Sequence, residues 1–311
     1  MSIYSIVVHG GAINPLDSLF NKGVSDAALT GFEVLKMGGS ALDAVTQTIV
    51  NMEDNPIFNA GTGSWANLAG DVEMDAIIMD GSNGASGAVA SIRRVKNPIL
   101  VARKVMEETD HILLAGEGAT KFARTLGFRD YNPLTKERET TWKEMREKLL
   151  RGETVPMTSY WSKISKFIRS DTVGAVALDK NGRMAAGTSS GGFPFKLPGR
   201  VGDVPIVNAS TYVSGAGGVS LSGHGEIIVR YIVARQIHDL ISTGVEPEKA
   251  LEQVFRRVLA SLKVSEGVLL SGIALNNKGE VGVARNVDAL PHAYMSSELE
   301  LPRVGFAPRM K

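Results

Sequence analysis

Polar side chains that could carry out chemistry stand in four stretches of this 311-residue chain. All four are rich in small residues: "FNAGTG" at 58–63, "DTVGAVALD" at 171–179, "GTSSGG" through "LPGRVGD" at 187–203, and "SGHGE" at 222–226. They offer hydroxyls, carboxylates, a guanidinium and exposed backbone amides, the groups that bind and polarise small polar substrates. Each stretch alone is a weak signal, because a glycine-rich turn before a helix is commonly a cap or a phosphate nest.

Thr172 opens an apolar run directly after a basic, irregular stretch. Small and larger apolar residues alternate over 173–178, a turn follows over 179–182, and "RMAAGTSSGG" continues as a second run of small residues. This pattern predicts a β-hairpin with strands over 173–179 and 184–190. The hairpin accounts for the apolar run but not for the threonine at its start.

The composition excludes several other chemistries. The chain has no cysteine, so disulfides, thiolate catalysis and cysteine-bound zinc are ruled out. Its histidines are scattered, without the spacing of a metal motif such as HExxH. A net charge of +1 argues against a broad nucleic-acid or polybasic membrane surface. No apolar run reaches the ~20 residues of a membrane span, and the N-terminus lacks signal-peptide features, so we expect a cytoplasmic protein.

The elements that must position these stretches follow from apolar spacing. Before residue 129 it predicts strands at 3–9, 75–79 and 85–92 and helices near 24–37, 40–50, 98–108 and 116–126. After residue 172 it predicts strands at 173–179, 184–190, 267–275 and 280–286 and helices near 225–242 and 247–262. Strands, then helices, then strands again indicate two sheets between helical layers. The segment 129–169 is of mixed charge, which is typical of a solvated helix or a linker.

The order and spacing of the motifs resemble the plant-type asparaginase and isoaspartyl aminopeptidase family of N-terminal-nucleophile hydrolases. Besides the four stretches, the matching motifs are "VHGGA", "NPIFNAGTGS", "EMDAIIMDG", "GAVA", "NPILVAR" and "HILLAGEGA". The resemblance covers nearly the whole chain and thins out over 129–169. It implies an α+β fold, a four-layer αββα sandwich, in a single catalytic domain of residues 1–311.

The resemblance also explains the threonine at the start of the hairpin. In this family the precursor cuts itself before a threonine, here between Asp171 and Thr172. The products would be an α subunit of residues 1–171, ending in a flexible linker over 129–171, and a β subunit of residues 172–311. A threonine hydroxyl is a poor nucleophile, but a free α-amino group with a pKa of about 7.7–8.0 can serve as its general base. No cofactor is then required.

The family pattern assigns the catalytic roles. Thr172 matches the nucleophile, and Ser190 matches the hydroxyl residue that orients it. Ser222 and Gly223 match the oxyanion hole, and Asn59 matches a polar residue facing the nucleophile from the α subunit. Serine stands at 190 and 222 where the family usually has threonine, so the hydroxyls are retained. Without the resemblance, both serines could equally be small residues that fill tight sheet packing.

The substrate would be held by the "GRVGD" and "SGHGE" stretches. Arg200 matches the residue that binds the substrate α-carboxylate, and Asp203 matches the one that binds the α-ammonium. Gly225 matches a backbone carbonyl that helps to hold the ammonium. Taken alone, Arg200 and Asp203 would more simply be a surface ion pair.

The loop 52–62 could be no more than an irregular turn. In the family, backbone carbonyls of this loop surround a structural sodium ion. The matching positions are Met52, Glu53, Asn55, Phe58, Ala60 and Thr62. Backbone ligands leave no side-chain pattern, so only the resemblance supports this site.

The expected activity is hydrolysis of L-asparagine to L-aspartate and ammonia, together with hydrolysis of β-aspartyl (isoaspartyl) dipeptides. Related enzymes that act on glycosylated asparagine or on whole proteins are the alternative, and they would need a more open site. A nucleotide-binding module is disfavoured, because neither a strand–GxGxxG–helix nor a GxxxxGK[ST] motif occurs. The resemblance further implies a homodimer of αβ units.

Overall fold

The structure is a computed structural model that describes residues 3–11, 18–153, 172–262 and 267–310. Its strands are β1 (Ser5–His9), β2 (Met74–Asp80), β3 (Ser86–Ile92), β4 (Leu113–Ala115), β5 (Val173–Leu178), β6 (Met184–Ser190), β7 (Thr211–Ser214), β8 (Gly217–Gly223), β9 (Leu270–Asn276), β10 (Val281–Arg285), β11 (His292–Ser296) and β12 (Arg303–Val304). Its helices are α1 (Ser18–Lys36), α2 (Ala41–Asp54), α3 (Pro98–Glu108), α4 (Gly116–Thr125), α5 (Lys136–Leu150), α6 (Gly225–Tyr231), α7 (Val233–Ser242) and α8 (Pro247–Ser261).

Within the described residues the strands form two sheets. The larger sheet has the order β12-β11-β1-β5-β6-β2-β3-β4, and the smaller one has the order β10-β9-β8-β7. The predicted hairpin is present as β5 and β6, antiparallel neighbours at the centre of the larger sheet. The predicted α+β fold class is confirmed.

Alternating residues of the central strands serve two separate cores. Ile6 of β1 packs with α1, α2 and α3 on one face of the larger sheet. Its neighbour Val7 points to the other face, where it joins Val176 and the small-sheet residue Ile273. The two sheets therefore share a buried core, as strand alternation requires. On the far side of the small sheet, Leu221 joins a third core formed with α6, α7 and α8.

Local signals account for several helix boundaries. Ser40 is the N-cap of α2: its hydroxyl accepts a hydrogen bond from the Asp43 amide (3.1 Å) and donates to the Asp43 carboxylate (2.6 Å). The predicted helix over 225–242 is instead two helices, because Ile232 takes a left-handed conformation (φ 46°) between α6 and α7. The helix predicted to start near residue 24 begins earlier, at Ser18.

The segment 129–169, which the sequence predicted to be a solvated helix or a linker, contains a helix in its described part. α5 has no buried residue, yet the indole Nε1 of Trp142 donates to the Asn67 carbonyl (2.9 Å) and Nε of Arg138 donates to the Gly63 carbonyl (2.9 Å). Residues 154–171, which include Asp171 and the predicted cleavage bond, lie outside the described residues. No helix in the described ranges is long and apolar enough to cross a membrane.

Candidate active site

Thr172 lies at the start of β5, beside the last residue of β6. The antiparallel register pairs Val173 with Ser189, which places Thr172 next to Ser190. The Thr172 hydroxyl donates to Ser190 Oγ at 3.2 Å, and that oxygen also accepts from the Gly192 amide at 3.0 Å. Both side chains are buried, so this hydrogen bond restrains the direction of the Thr172 hydroxyl.

Strand β8 of the small sheet stacks on β5 in the opposite direction. A Cβ atom added at Gly174 would lie 2.0 Å from Ser220 Oγ, and one added at Gly218 would lie 2.6 Å from a methyl of Val176. A side chain at either position would press on the facing strand, so glycine allows the two strands to approach this closely. Position 174 therefore lies over position 220, and position 176 over position 218.

The same register bears on the position of Ser222. Side chains alternate along a strand, so Ser222 shares the face of Ser220, and Thr172 shares the face of Gly174. If the register continues by two residues, it predicts that Ser222 lies opposite Thr172. Ser222 is buried, and its carbonyl is fixed by a hydrogen bond from the Ser271 hydroxyl (2.8 Å). Gly223 lines the cleft beside Thr172.

Asn59 is fully buried and holds the chain that follows Ser190. Its amide nitrogen donates to the Gly192 carbonyl (2.6 Å), its side-chain oxygen accepts from the Trp65 amide (2.9 Å), and its carbonyl accepts from the Gly191 amide (2.7 Å). These contacts fix the segment whose amide bonds to Ser190. The predicted direct approach of Asn59 to the nucleophile stays a prediction.

Arg200 and Asp203 stand in the wall of the same cleft. The Arg200 guanidinium lies 4.5 Å from the Phe193 ring centre, and its Nε donates to Glu226 (3.0 Å). A Cβ added at Gly225 would lie 2.6 Å from Asp203 Oδ1 and 2.9 Å from an Arg200 nitrogen. The Arg200 side chain is 17% exposed and Asp203 is 7% exposed, so they do not form the surface ion pair that was the simpler interpretation.

The electrostatics of Asp203 are those of a site for a cation. Burial raises the pKa of Asp203 to about 7, against the effect of the nearby Arg200 charge. Its Oδ2 atom is buried and accepts no hydrogen bond from the described part of the chain. A buried acceptor without a donor is costly, and an incoming ammonium group would remove that cost.

Comparison with known proteins identifies the family. Residues 2–301 match the family model described as asparaginase. This chain belongs to the asparaginase family. It is 45% identical to the plant-type L-asparaginase of Pyrococcus horikoshii and 44% identical to that of Thermococcus kodakarensis, over 97% of this chain and 99% of each relative. It is 41% identical to the isoaspartyl peptidase/L-asparaginase of Mus musculus, over 90% of this chain and 84% of that protein. The predicted family is confirmed, and with it the prediction that the chain is a hydrolase.

In this asparaginase-family chain the cleft brings together residues from distant parts of the sequence. Of the predicted site residues, five line it: Thr172, Ser190, Arg200, Asp203 and Gly223. Asn59, Ser222 and Gly225 support its walls through the contacts described above. Asp75, Gly192 and Phe193 line the cleft as well and were not predicted. Asp75 belongs to the matched "EMD" motif, and that motif was the one signal that could have pointed to it.

The loop 52–62 folds back on itself behind the site. The Glu53 carbonyl accepts from the Thr62 amide (2.8 Å), and the Met52 and Asn55 carbonyls accept from amides within the loop (both 3.2 Å). Burial raises the pKa of the Glu53 carboxyl to about 8, which favours its uncharged form at neutral pH. The loop therefore gathers peptide oxygens rather than a carboxylate. No group of three or more His, Cys, Asp or Glu in the described ranges could hold a metal ion.

Proposed function

We propose that this chain hydrolyses the side-chain amide of L-asparagine and the isopeptide bond of β-aspartyl dipeptides, with Thr172 as the nucleophile. One observation carries the proposal. The Thr172 hydroxyl is hydrogen-bonded to Ser190 in the wall of a cleft that also holds Arg200 and Asp203. A nucleophile beside one cationic and one anionic group suits a substrate with a free α-carboxylate and a free α-ammonium group.

The proposed reaction has two steps. Thr172 Oγ attacks the substrate β-carbonyl, while the Ser222 hydroxyl and the Gly223 amide stabilise the oxyanion. The α-amine of Thr172 takes the hydroxyl proton and passes it to the leaving ammonia or amine. Water then attacks the resulting ester with the same amine as base. L-aspartate leaves, and the proton returns to Thr172 Oγ.

The free amine must first be produced, so we propose self-cleavage between Asp171 and Thr172. The proposal rests on the family resemblance and on the position of Thr172 at the first residue before a central strand. The products would be chains of residues 1–171 and 172–311, which together form one catalytic domain. Three buried cores separated by two sheets support a four-layer αββα arrangement of that domain.

We make three further proposals, of which the sodium ion and the homodimer rest on the resemblance. The closed loop 52–62 gathers the carbonyls of Met52, Glu53 and Asn55, and oxygen atoms are what a hard cation prefers. We therefore propose a structural sodium ion held there by carbonyls of Met52, Glu53, Asn55, Phe58, Ala60 and Thr62. We also propose a homodimer of αβ units, which light scattering would test, and a cytoplasmic location.

The substrate assignment is tested by assaying purified protein with three compounds: L-asparagine, a β-aspartyl dipeptide and a glycosylated asparagine. We expect turnover of the first two. An Arg200→Ala variant should lose roughly 2–5 kcal/mol of substrate binding, because an interfacial charge pair is removed, and should still cut itself. Turnover of the glycosylated compound alone would instead support the alternative activity. We call Arg200 and Asp203 the substrate clamp. A wild-type value of kcat/KM in the Arg200→Ala variant would refute this assignment.

A further inference from the structure

Glu73, just before β2, holds one end of the loop that carries Arg200. It is 2% exposed, and both carboxylate oxygens accept from the Gly199 amide (3.2 and 3.0 Å). The same carboxylate accepts from the Arg93 guanidinium (2.6 Å) and the Asn67 amide (3.0 Å). Burial would raise the pKa of Glu73, but these hydrogen bonds outweigh it and hold the pKa below its usual range. Glu73 is therefore a buried, fully bonded anion.

Asp75 holds the other end of the loop. It lies two residues further along β2 and is 1% exposed. Its Oδ1 accepts from the Ser91 amide (2.7 Å), and its Oδ2 accepts a longer bond from the Gly202 amide (3.4 Å). A Cβ added at Gly202 would lie 2.8 Å from Nη1 of Arg200. The guanidinium therefore lies directly over the part of the loop that Asp75 holds.

Lys196 places a buried positive charge beside these two carboxylates. It is 2% exposed, and its ammonium donates to the Glu73 main-chain carbonyl (2.7 Å). Burial lowers the pKa of Lys196, and the charges of Asp75 and Glu73 counteract that effect. A Cβ added at Gly192 would lie 2.9 Å from the ammonium. Lys196 thus lies between Gly192, which follows Ser190 in the chain, and the Glu73 segment that holds the Arg200 loop.

We propose that Glu73 and Asp75 are positioning residues of the substrate clamp, which hold the backbone amides on both sides of Arg200. By holding these amides they fix the position of the guanidinium relative to the substrate α-carboxylate. The proposal rests on the proposed role of Arg200. Neither carboxylate needs to touch the substrate for this effect. Misplacing a binding group by about 1 Å costs on the order of 10²-fold in rate.

Glu73→Gln and Asp75→Asn test the proposal. Within the described residues, each hydrogen-bond partner of the Glu73 carboxylate is a donor, so a glutamine must turn its NH₂ group towards another donor. We expect kcat/KM for L-asparagine to fall about tenfold or more, mainly through KM, with self-cleavage unchanged on a denaturing gel. Asp179→Asn is the matched control. Asp179 is 1% exposed and accepts from three backbone amides, those of Ala41, Asn181 and Arg183, at the far end of β5.

A double-mutant cycle with Arg200→Lys shows whether Glu73 acts through the clamp. If it does, Glu73→Gln should cost less than about threefold in the Arg200→Lys background, because the geometry that it protects is already lost. The proposal would be overturned if the losses in kcat/KM of Glu73→Gln and Arg200→Lys simply multiplied in the double variant. It would also be overturned if the Glu73 or Asp75 variant lost self-cleavage or fell in kcat alone, or if Asp179→Asn raised KM equally. Wild-type kinetics in Arg200→Lys would instead refute the proposed role of Arg200.

Discussion

The Asp203 carboxyl has a pKa of about 7, because burial disfavours its charge more than Arg200 favours it. It must be ionised to bind the substrate ammonium. Substrate capture should therefore strengthen as the pH rises through about 7 and weaken below it. In the complex the bound ammonium favours the carboxylate, so this titration should appear in kcat/KM and be displaced to lower pH in kcat.

Parallel pH profiles of the two constants measure this effect. On the acid side, we expect the profile of kcat/KM to fall with the Asp203 titration near pH 7, whereas in the profile of kcat this titration lies at lower pH. Asp203→Asn should remove this titration and raise KM, since a neutral amide cannot pair with the ammonium. Identical profiles of kcat/KM and kcat in the wild type would contradict the assignment of Asp203.

Among the secondary-structure elements, the contact between β5 and β8 determines the geometry of the nucleophile. A methyl group at position 174 would lie 2.0 Å from Ser220 Oγ and 2.5 Å from Nε2 of His9. Gly174→Ala should therefore lower the free energy of unfolding by about 1–3 kcal/mol through overpacking, as measured by urea denaturation. In a Ser220→Ala background the loss caused by Gly174→Ala should be smaller, because the nearest atom to the new methyl group is absent.

Gly215→Ala is the control for this measurement. Gly215 lies in the turn between β7 and β8, and a Cβ there would meet no atom within 4 Å. It should leave the free energy of unfolding nearly unchanged. Equal losses in the 174 and 215 variants would show that the close sheet contact is not the cause.

The elements also show what the sequence could predict. The β5–β6 hairpin was predictable because its apolar pattern is continuous and its turn is marked by Asp179 and Gly182. β7 (TYVS) was not predicted because it is only four residues long, and β8 (GGVSLSG) was not predicted because glycine and serine fill most of its positions. The break at Ile232 has no proline or glycine to announce it. The support of the clamp was hidden for another reason: Glu73 and Asp75 bond to backbone amides, which every residue type but proline provides.

For the whole molecule, a buried histidine predicts sensitivity to acid. His9 is fully buried, and its Nε2 pairs with Ser220 Oγ at 2.9 Å between the sheets. Burial lowers the pKa of His9 from 6.5 to about 3. Between these values the unfolded chain binds a proton that the folded protein does not, so folding stability falls as the pH drops below about 6.5. The effect is absent at pH 7 and above.

Urea unfolding of the wild type and His9→Gln at pH 7 and pH 5 isolates this contribution. On going from pH 7 to pH 5, the free energy of unfolding of the wild type should fall by about 2 kcal/mol more than that of the variant. The change is about 1.36 kcal/mol for each pH unit, and it applies only between pH 6.5 and pH 5. Burial also lowers the pKa values of His224 and His292, but both are present in both proteins. A pH-independent difference would mean that His9 is not held neutral by the fold.

The most direct test of the account as a whole is the N-terminal sequence of the fragments in purified protein. Self-cleavage should give two chains on a denaturing gel, and Edman degradation of the smaller one should read Thr-Val-Gly-Ala, starting at Thr172. Thr172→Ala should stay a single chain without amidase activity, whereas Thr172→Ser should still cut because it keeps the hydroxyl. A fragment that begins at another residue, or an active Thr172→Ala protein, would contradict Thr172 as the nucleophile.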